Sequence, residues 1–422
     1  MASLFHPPAL LKNTNIYEVN IRQYTAEGTF NAFAQHLPRL KETGVEILWL
    51  MPIHPIGSVK RKGTLGSYYS IQDHKGINPE FGTAADLTAL VTTVHALGMK
   101  IIIDWVANHA AWDHVWTETN PGFFTRDAAG NFTPPYDWDD VIQIDHTDPH
   151  QQEAMKDAMK FWIKIFDIDG FRADLAHLTP LQFWKDARTE LTPLKKDLVW
   201  LAETEETSYH EAFDISFTWE WMHATEKFAR KQASLADCVN VLKKYTNDFP
   251  QNAMRLFFTS NHDENSWNGT EYEKFGDLTK TLAVFSCLYT GIPLVYSGQE
   301  LPNTKRLKFF EKDRIDWNKD IGLQEFYRKL FSLRKTNSAY LKGTVSISES
   351  SIEKNILAFT VSRDADIVAV FLNMSDAATA ETIPLENVSG SFRDIFSGEM
   401  ITINGEYRFA VETGGIKVFE RY

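Results

Sequence analysis

The stretch Asp167-Ile-Asp-Gly-Phe-Arg-Ala-Asp174-Leu-Ala-His177 decides how the rest of the chain is read. Ile168, Phe171 and Ala173 read as a short buried strand, and Asp174 stands where that strand ends, just beyond Arg172. A cation so close favours an ionised carboxylate, the form a carboxylate nucleophile needs. Read alone, the pair also fits a structural ion pair at a strand end, since such pairs perturb carboxylates too. The flanking sequence separates the two readings.

Helix and apolar strand alternate on both sides of this stretch. Upstream, Ile16–Val19 reads as a strand, and Phe30 to Lys41 as one helix, with Phe30, Phe33, Leu37 and Leu40 at helical spacing and a stop at Thr43-Gly44. Glu46–Leu50 is the second strand and Thr83–Leu97 the second helix. Lys100–Asp104 is a nearly continuous apolar strand, the kind buried on both faces in parallel sheets. Residues 106–150 break the rhythm: they are rich in Asp, Pro, Trp and Phe without a period. Helix Gln151–Phe166 then leads into the strand Gly170–Ala173.

Downstream follow helix Leu181–Leu191, strands Leu198–Ala202 and Ile215–Phe217, helices over most of Thr225–Phe249, strand Arg255–Phe258, helix Gly276–Tyr289, strand Ile292–Tyr296 and helix Leu323–Lys335. Eight strands alternating with helices predict a closed (β/α)₈ TIM barrel rather than an open sheet. Beyond about residue 338 short alternating runs (Ile356–Val361, Ile367–Leu372, Met400–Ile403, Tyr407–Val411, Gly415–Phe419) predict an antiparallel β-sandwich. The predicted organisation is a barrel over 1–105 and 151–338, a short inserted domain at 106–150 and a C-terminal β-sandwich domain at 339–422.

The 422 residues are 43% hydrophobic and 13% aromatic, enough for a large core. A net charge of −13 argues against a nucleic-acid partner, which wants clustered Lys and Arg. Cys238 and Cys287 lie in apolar surroundings and read as buried thiols. The start, Met1-Ala-Ser-Leu-Phe-His-Pro-Pro, lacks the basic and long apolar runs of a signal peptide. Leu282–Tyr296 is too short to span a bilayer. The expectation is a cytoplasmic chain with no membrane partner, or an exported one whose signal has been removed.

In such a barrel the functional groups sit at the C-terminal ends of the strands. The third strand ends in Asp104-Trp-Val-Ala-Asn108-His109, the fourth in Arg172-Ala-Asp174 with His177 on the loop, the fifth in Leu201-Ala-Glu203, and the seventh leads into Asn261-His262-Asp263. Three carboxylates from three strands thus converge on one rim, with Arg172, His109 and His262 around them. A retaining glycoside hydrolase needs this equipment: one carboxylate attacks the anomeric carbon, and a second protonates the leaving oxygen and later activates water. Asp174 beside Arg172 suits the nucleophile. Glu203 follows the apolar run Val199–Ala202, where desolvation would raise its pKa as a general acid requires. Asp263 suits the stabiliser of the oxocarbenium charge. Trp112, Trp116, Trp138, Trp219 and Trp267 are candidates for stacking on sugar faces, each also compatible with wall packing.

These motifs resemble, in order, the four conserved stretches of the α-amylase family of retaining glycoside hydrolases. Gly66-Ser-Tyr-Tyr69-Ser-Ile-Gln-Asp73 resembles the family loop whose tyrosine stacks on the sugar at the cleavage point; the register gives Tyr69, with Tyr68 as the alternative. Gly291–Glu300 resembles the end of the eighth strand, and the likeness spans about residues 15–338. It implies retaining cleavage or transfer at α-glucosidic bonds, mostly α-1,4. Asp174 would be nucleophile, Glu203 acid/base and Asp263 stabiliser, while Tyr69, His109, Arg172, His177 and His262 hold the sugar.

Two positions depart from the pattern. The family's calcium site takes the asparagine matching Asn108, a backbone carbonyl near His177, and an aspartate whose place falls to Gln143. A neutral oxygen there removes a ligand charge, so no metal site is assigned; Asp139, Asp140 or Asp145 would have to compensate. The lysine usual before the histidine of the second motif is Ala176, which leaves His177 as the contact beyond the cleavage point. The expected substrate is starch, a related α-glucan or a maltooligosaccharide. The alternatives are an α-glucosidase, a maltogenic or cyclodextrin-cleaving hydrolase, a glucan transferase, or an inactive glucan-binding relative. Asn131-Phe-Thr133 and Asn373-Met-Ser375 match the glycosylation pattern, which chance also produces.

Overall fold

A computed structural model describes residues 5–317 and 320–422; Met1 to Leu4, the start of the segment read for a signal peptide, lie outside the described residues. The strands of the first half are β1 (Ile16–Val19), β2 (Ile47–Leu50), β3 (Lys100–Trp105), β4 (His109–Ala111), β5 (Val141–Gln143) and β6 (Gly170–Ala173). Then come β7 (Val199–Ala202), β8 (Ile215–Phe217), β9 (Met254–Phe257) and β10 (Ile292–Tyr296). Eight of these form a closed parallel barrel in the cyclic order β1-β2-β3-β6-β7-β8-β9-β10. All four residues of β1, β2, β6 and β7 are buried. Both faces are covered, which is why the strands read as apolar runs rather than alternations.

Gly170 is what lets β6 close on β7. Its φ is +152°, and a Cβ there would lie 2.1 Å from the Val199 carbonyl oxygen, so no side chain fits. The helix expected over Phe30–Lys41 is two helices, Phe30–Ala34 and Leu37–Thr43. Pro38 sits in the first turn of the second; a proline is accepted there but would break a continuous helix. The 106–150 segment contains β4 and β5 as a two-stranded antiparallel ribbon, with His109 opposite Gln143.

The C-terminal strands are β11 (Thr344–Ile347), β12 (Ile356–Arg363), β13 (Asp366–Asn373), β14 (Thr379–Asp394), β15 (Met400–Val411) and β16 (Ile416–Arg421). They form one six-stranded sheet in the order β11-β12-β13-β16-β14-β15. The layered look of a sandwich comes from the two halves of this one sheet. Ile356, Ala358 and Phe371 on one half pack with Ile383, Phe392 and Phe409 on the other. The opposite face of β12 and β13 (Leu357, Phe359, Val370, Leu372) belongs to the barrel's own core. Phe359 lies 5.8 Å from Phe285 and 5.5 Å from Tyr289, centroid to centroid. Each such buried side chain contributes roughly 1.5–3 kcal/mol. Among the described residues no helix is long and apolar enough to cross a membrane.

Candidate active site

Register places the charged floor of the site. In the parallel pair β3–β6, Asp104 stands directly opposite Arg172. Arg172 and Asp174 are two residues apart, so both point to the same side of the sheet. The next strand, β7, is offset so that the Glu203 amide donates to the Ala173 carbonyl at 3.0 Å, which brings Glu203 level with Asp174. Arg172 is fully buried. Its Nη1 donates to Asp104 Oδ1 at 2.9 Å and to Asp174 Oδ1 at 3.0 Å. Its Nη2 lies 2.8 Å from Glu203 Oε2, too far off axis for an aligned hydrogen bond, so that contact is Coulombic. One guanidinium therefore gathers three carboxylates.

The electrostatics depart from the sequence-based expectation in one respect. Burial outweighs Arg172 at Asp174: desolvation first, then the neighbouring Glu203, Asp104 and Asp263 charges, push the Asp174 carboxyl well above its usual range. Asp104 is likewise raised, chiefly by burial. Glu203 is not isolated among apolar groups, as the run Val199–Ala202 suggested; its Oε2 also accepts from the Leu175 amide at 2.8 Å. With Oε2 engaged by the Leu175 amide and the Arg172 charge, the free atom is Oε1.

A second chain of contacts holds the opposite wall. Glu18, fully buried at the end of β1, meets His262 Nδ1 at 2.5 Å. His262 Nε2 lies 2.8 Å from the Tyr69 hydroxyl and 3.2 Å from Asp263 Oδ2. Against a burial effect that lowers it, Asp263 and Glu18 raise the His262 pKa well above the ordinary value. The histidine is therefore a cation, and both ring nitrogens donate. Asp263 is correspondingly held below the usual aspartate value: burial raises it, but His262, Arg172 and a hydrogen bond from Trp267 prevail. The Asp263 side chain is 40% exposed at the mouth, whereas those of Asp174 and Glu203 are 8% and 7% exposed.

These groups surround a cavity of about 270 Å³. Tyr69, His109, Asp174, Glu203 and Asp263 line it; Arg172 and His262 lie beneath its floor. The choice between the two tyrosines resolves to Tyr69, whose hydroxyl also donates to Asp104 Oδ2 at 3.0 Å and whose ring stacks on His262 at 5.4 Å. Tyr68 is buried behind it, under Arg22. Burial lowers the His109 pKa to about 3, so that ring is neutral. His177 is not brought to the cavity: it sits exposed on a 3₁₀ turn, its carbonyl accepting from the Tyr209 hydroxyl at 3.2 Å. Of the five tryptophans, Trp138 and Trp267 line the cavity. Trp112 lies under Lys60, Trp116 on His74, and Trp219 on Phe217. Sequence reasoning missed Phe309, Phe310 and Lys62 in the lining, and Glu18 behind it. Glu18 alone of these carried a signal, as a charge within the otherwise apolar strand β1.

The residues present do not fit a calcium ion. Gln143 supplies no charge. Asp139 and Asp140 are held by Lys62 at 2.8 and 3.1 Å. Asp145 caps its own turn, accepting from the Thr147 amide and hydroxyl at 2.9 and 2.7 Å. A neutral donor set is a poor match to a hard dication.

Comparison with known proteins agrees with this geometry. The family model of the α-amylase catalytic domain matches residues 8–127 and 127–327. The α-amylase 2 of Dictyoglomus thermophilum is 25% identical over 417 residues, 92% of this chain and 70% of that protein. A cyclomaltodextrinase of Geobacillus thermopakistaniensis is 24% identical over 425 residues, covering 90% and 68%. An α-1,4-glucan:maltose-1-phosphate maltosyltransferase of Rhodospirillum rubrum is 26% identical over 362 residues, covering 76% and 51%, so the chain spans between half and seven-tenths of these relatives. Among solved structures, the noncanonic maltogenic α-amylase AmyB of Thermotoga neapolitana superposes with a TM-score of 0.89 at 29% identity, covering 97% of this chain and 99% of that one. The α-amylase of Lactobacillus plantarum gives 0.88 at 27% identity, covering 98% and 100%. With three acidic side chains meeting at the rim of a closed parallel barrel and the catalytic-domain model matching most of the sequence, this chain belongs to the α-amylase family of glycoside hydrolases.

Proposed function

We propose that the chain hydrolyses α-1,4-glucosidic bonds in α-glucans or maltooligosaccharides with retention at the anomeric carbon. The observation that carries this reading is Arg172, whose one guanidinium touches Asp104, Asp174 and Glu203 beneath a cavity that Asp263 also lines. The names of its relatives, α-amylase, cyclomaltodextrinase and maltogenic α-amylase, support the same substrate class. The direct test is the anomeric configuration of the first product from maltoheptaose, followed by proton NMR. An α-configured hemiacetal is expected; a β-configured one would overturn the reading.

In this mechanism Asp174 Oδ2 is the attacking oxygen, because Oδ1 is held by Arg172. Its bond to C1 forms as the C1–O bond to the leaving sugar breaks. Glu203 Oε1 delivers a proton to that leaving oxygen, Oε2 being engaged. Water then attacks C1 from the vacated side, passing one proton to Glu203 and displacing Asp174. Asp263, held low in pKa by the His262 cation, keeps its negative charge close to the oxocarbenium-like ring.

The pH dependence follows from Asp174. A protonated carboxyl is no nucleophile, so kcat/KM falls as pH drops through its pKa. That pKa is raised in the folded protein, so the acid limb should lie above the ordinary aspartate value of 3.8. A pH–rate profile of kcat/KM reads it directly. We further propose that activity is independent of calcium. Dialysis against EDTA should leave both the melting temperature and kcat unchanged, since binding energy lost with a resident ion would lower Tm. A fall in Tm that added calcium restores would show a site built from other donors.

A further inference from the structure

We propose that the segment 57–66 is a strap that closes the glycone end of the cleavage site, so that the protein trims α-glucans from their non-reducing ends. This rests on the hydrolase reading above and specifies how the polymer enters.

Barrel topology sets the direction. Glu203 stands at the end of β7, and β7 lies opposite β1 with three strands between them on each side. The group that protonates the leaving oxygen marks the side on which the leaving sugar sits. The far end of the glycone, with its O4, must therefore point across the barrel toward β1. The strap follows β2, and the Phe309–Glu311 segment follows β10, so both stand on the strands that flank β1.

The strap is fixed at both ends. On one side it is tied to the inserted 106–150 segment. Ser58 donates its amide and hydroxyl to Asp113 Oδ2 at 2.9 and 2.6 Å. Lys60 Nζ sits 3.3 Å above the Trp112 ring, and Lys62 bridges to Asp139 and Asp140. On the other side the Thr64 amide donates to Glu311 Oε1 at 3.1 Å and its hydroxyl to the other oxygen of that carboxylate. The Leu65 amide donates to the Phe310 carbonyl at 3.1 Å. Gly63 makes the crossing possible: at φ +63° a Cβ would come 2.5 Å from Phe310 Cβ.

Each exposed ion pair alone is weak. Anchoring in series across a short span still removes the freedom of a loop that would otherwise swing aside for a polymer. The cavity behind the strap, about 270 Å³, sits at the small end of ligand pockets. Lys62, Phe309 and Phe310 wall it on the strap side. It has room for the end of a chain, and the Lys62 ammonium, paired with Asp139 and Asp140, keeps a third N–H to donate to terminal hydroxyls.

The test uses reducing-end-labelled maltoheptaose with and without a 4,6-O-ethylidene cap on its non-reducing end. From the uncapped substrate the first labelled product should be shorter by a terminal mono- or disaccharide alone. The capped substrate should be cut at least about tenfold more slowly, the scale of steric rejection by a filled pocket. In the double variant Asp113→Ala/Glu311→Ala, which removes one side-chain anchor at each end of the strap without touching the cavity lining, the capped-to-uncapped ratio should rise several-fold. Equal rates on both substrates in the native protein, or mixed labelled fragments from the start, would overturn the strap while leaving the hydrolase reading intact. An unchanged ratio in the folded double variant would also overturn it. Failure to cut either substrate would remove both readings.

Discussion

Asp174→Asn is expected to lower kcat by at least about 10⁴-fold while leaving the protein folded, the scale seen when a covalent nucleophile is removed. The amide keeps an oxygen for Arg172 Nη1 but cannot form the bond to C1. Its effect on stability should have the opposite sign to its effect on rate. Burial and three neighbouring carboxylates oppose the charge on Asp174, so a neutral isostere removes a cost that the native site carries. The melting temperature should be equal to or above that of the native chain. Azide supplied to the smaller Asp174→Ala variant should restore turnover and give a β-configured glycosyl azide, because the small anion enters from the face the carboxylate has vacated. Near-native turnover in Asp174→Asn, measured by reducing-sugar release, would remove this residue from the reaction.

Arg172→Leu should be the most destabilising substitution at the site, by about 3–5 kcal/mol. The side chain is fully buried, and its removal strands Asp104, Asp174 and Glu203 without their shared cation. Arg172→Lys should fall between: a single ammonium keeps the charge but cannot reach three carboxylates with a planar fork. Denaturant unfolding of the two variants gives the comparison. If Leu and Lys cost the same, geometry and not charge is what the site requires; if Leu costs nothing, the carboxylates are protonated in the native protein.

Legibility in the sequence followed how each part is buried. The barrel strands were readable because both faces are covered, leaving short unbroken apolar runs; β1, β8 and β10 begin and end where periodicity placed them. Asp174, Glu203 and Asp263 were readable for the same reason, as charges at the ends of such runs. β14 was not foreseen, although it is the longest strand. Its buried residues Ile383, Leu385, Val388 and Phe392 lose the two-residue period where the register shifts between Pro384 and Ser389, and an alternation broken by a bulge looks like a loop. β15 was read as two runs because Asn404-Gly405 falls at that same irregularity. Phe309, Phe310 and Lys62 lie on irregular segments whose place at the cavity depends on contacts between distant parts of the chain, which no local pattern carries. His177, transferred from a resemblance as the contact beyond the cleavage point, stands on a turn that faces solvent outside the cavity lining.

Because Leu357, Phe359, Val370 and Leu372 sit in the same apolar interior as the helices around the barrel, the change of pattern near residue 338 is a border of secondary structure and not of cohesion. Trimming the chain there would lay bare an oily face on each piece. The two regions should accordingly melt as one cooperative body, and a label or immobilising tether belongs at Tyr422, whose side chain stands clear of that shared interior.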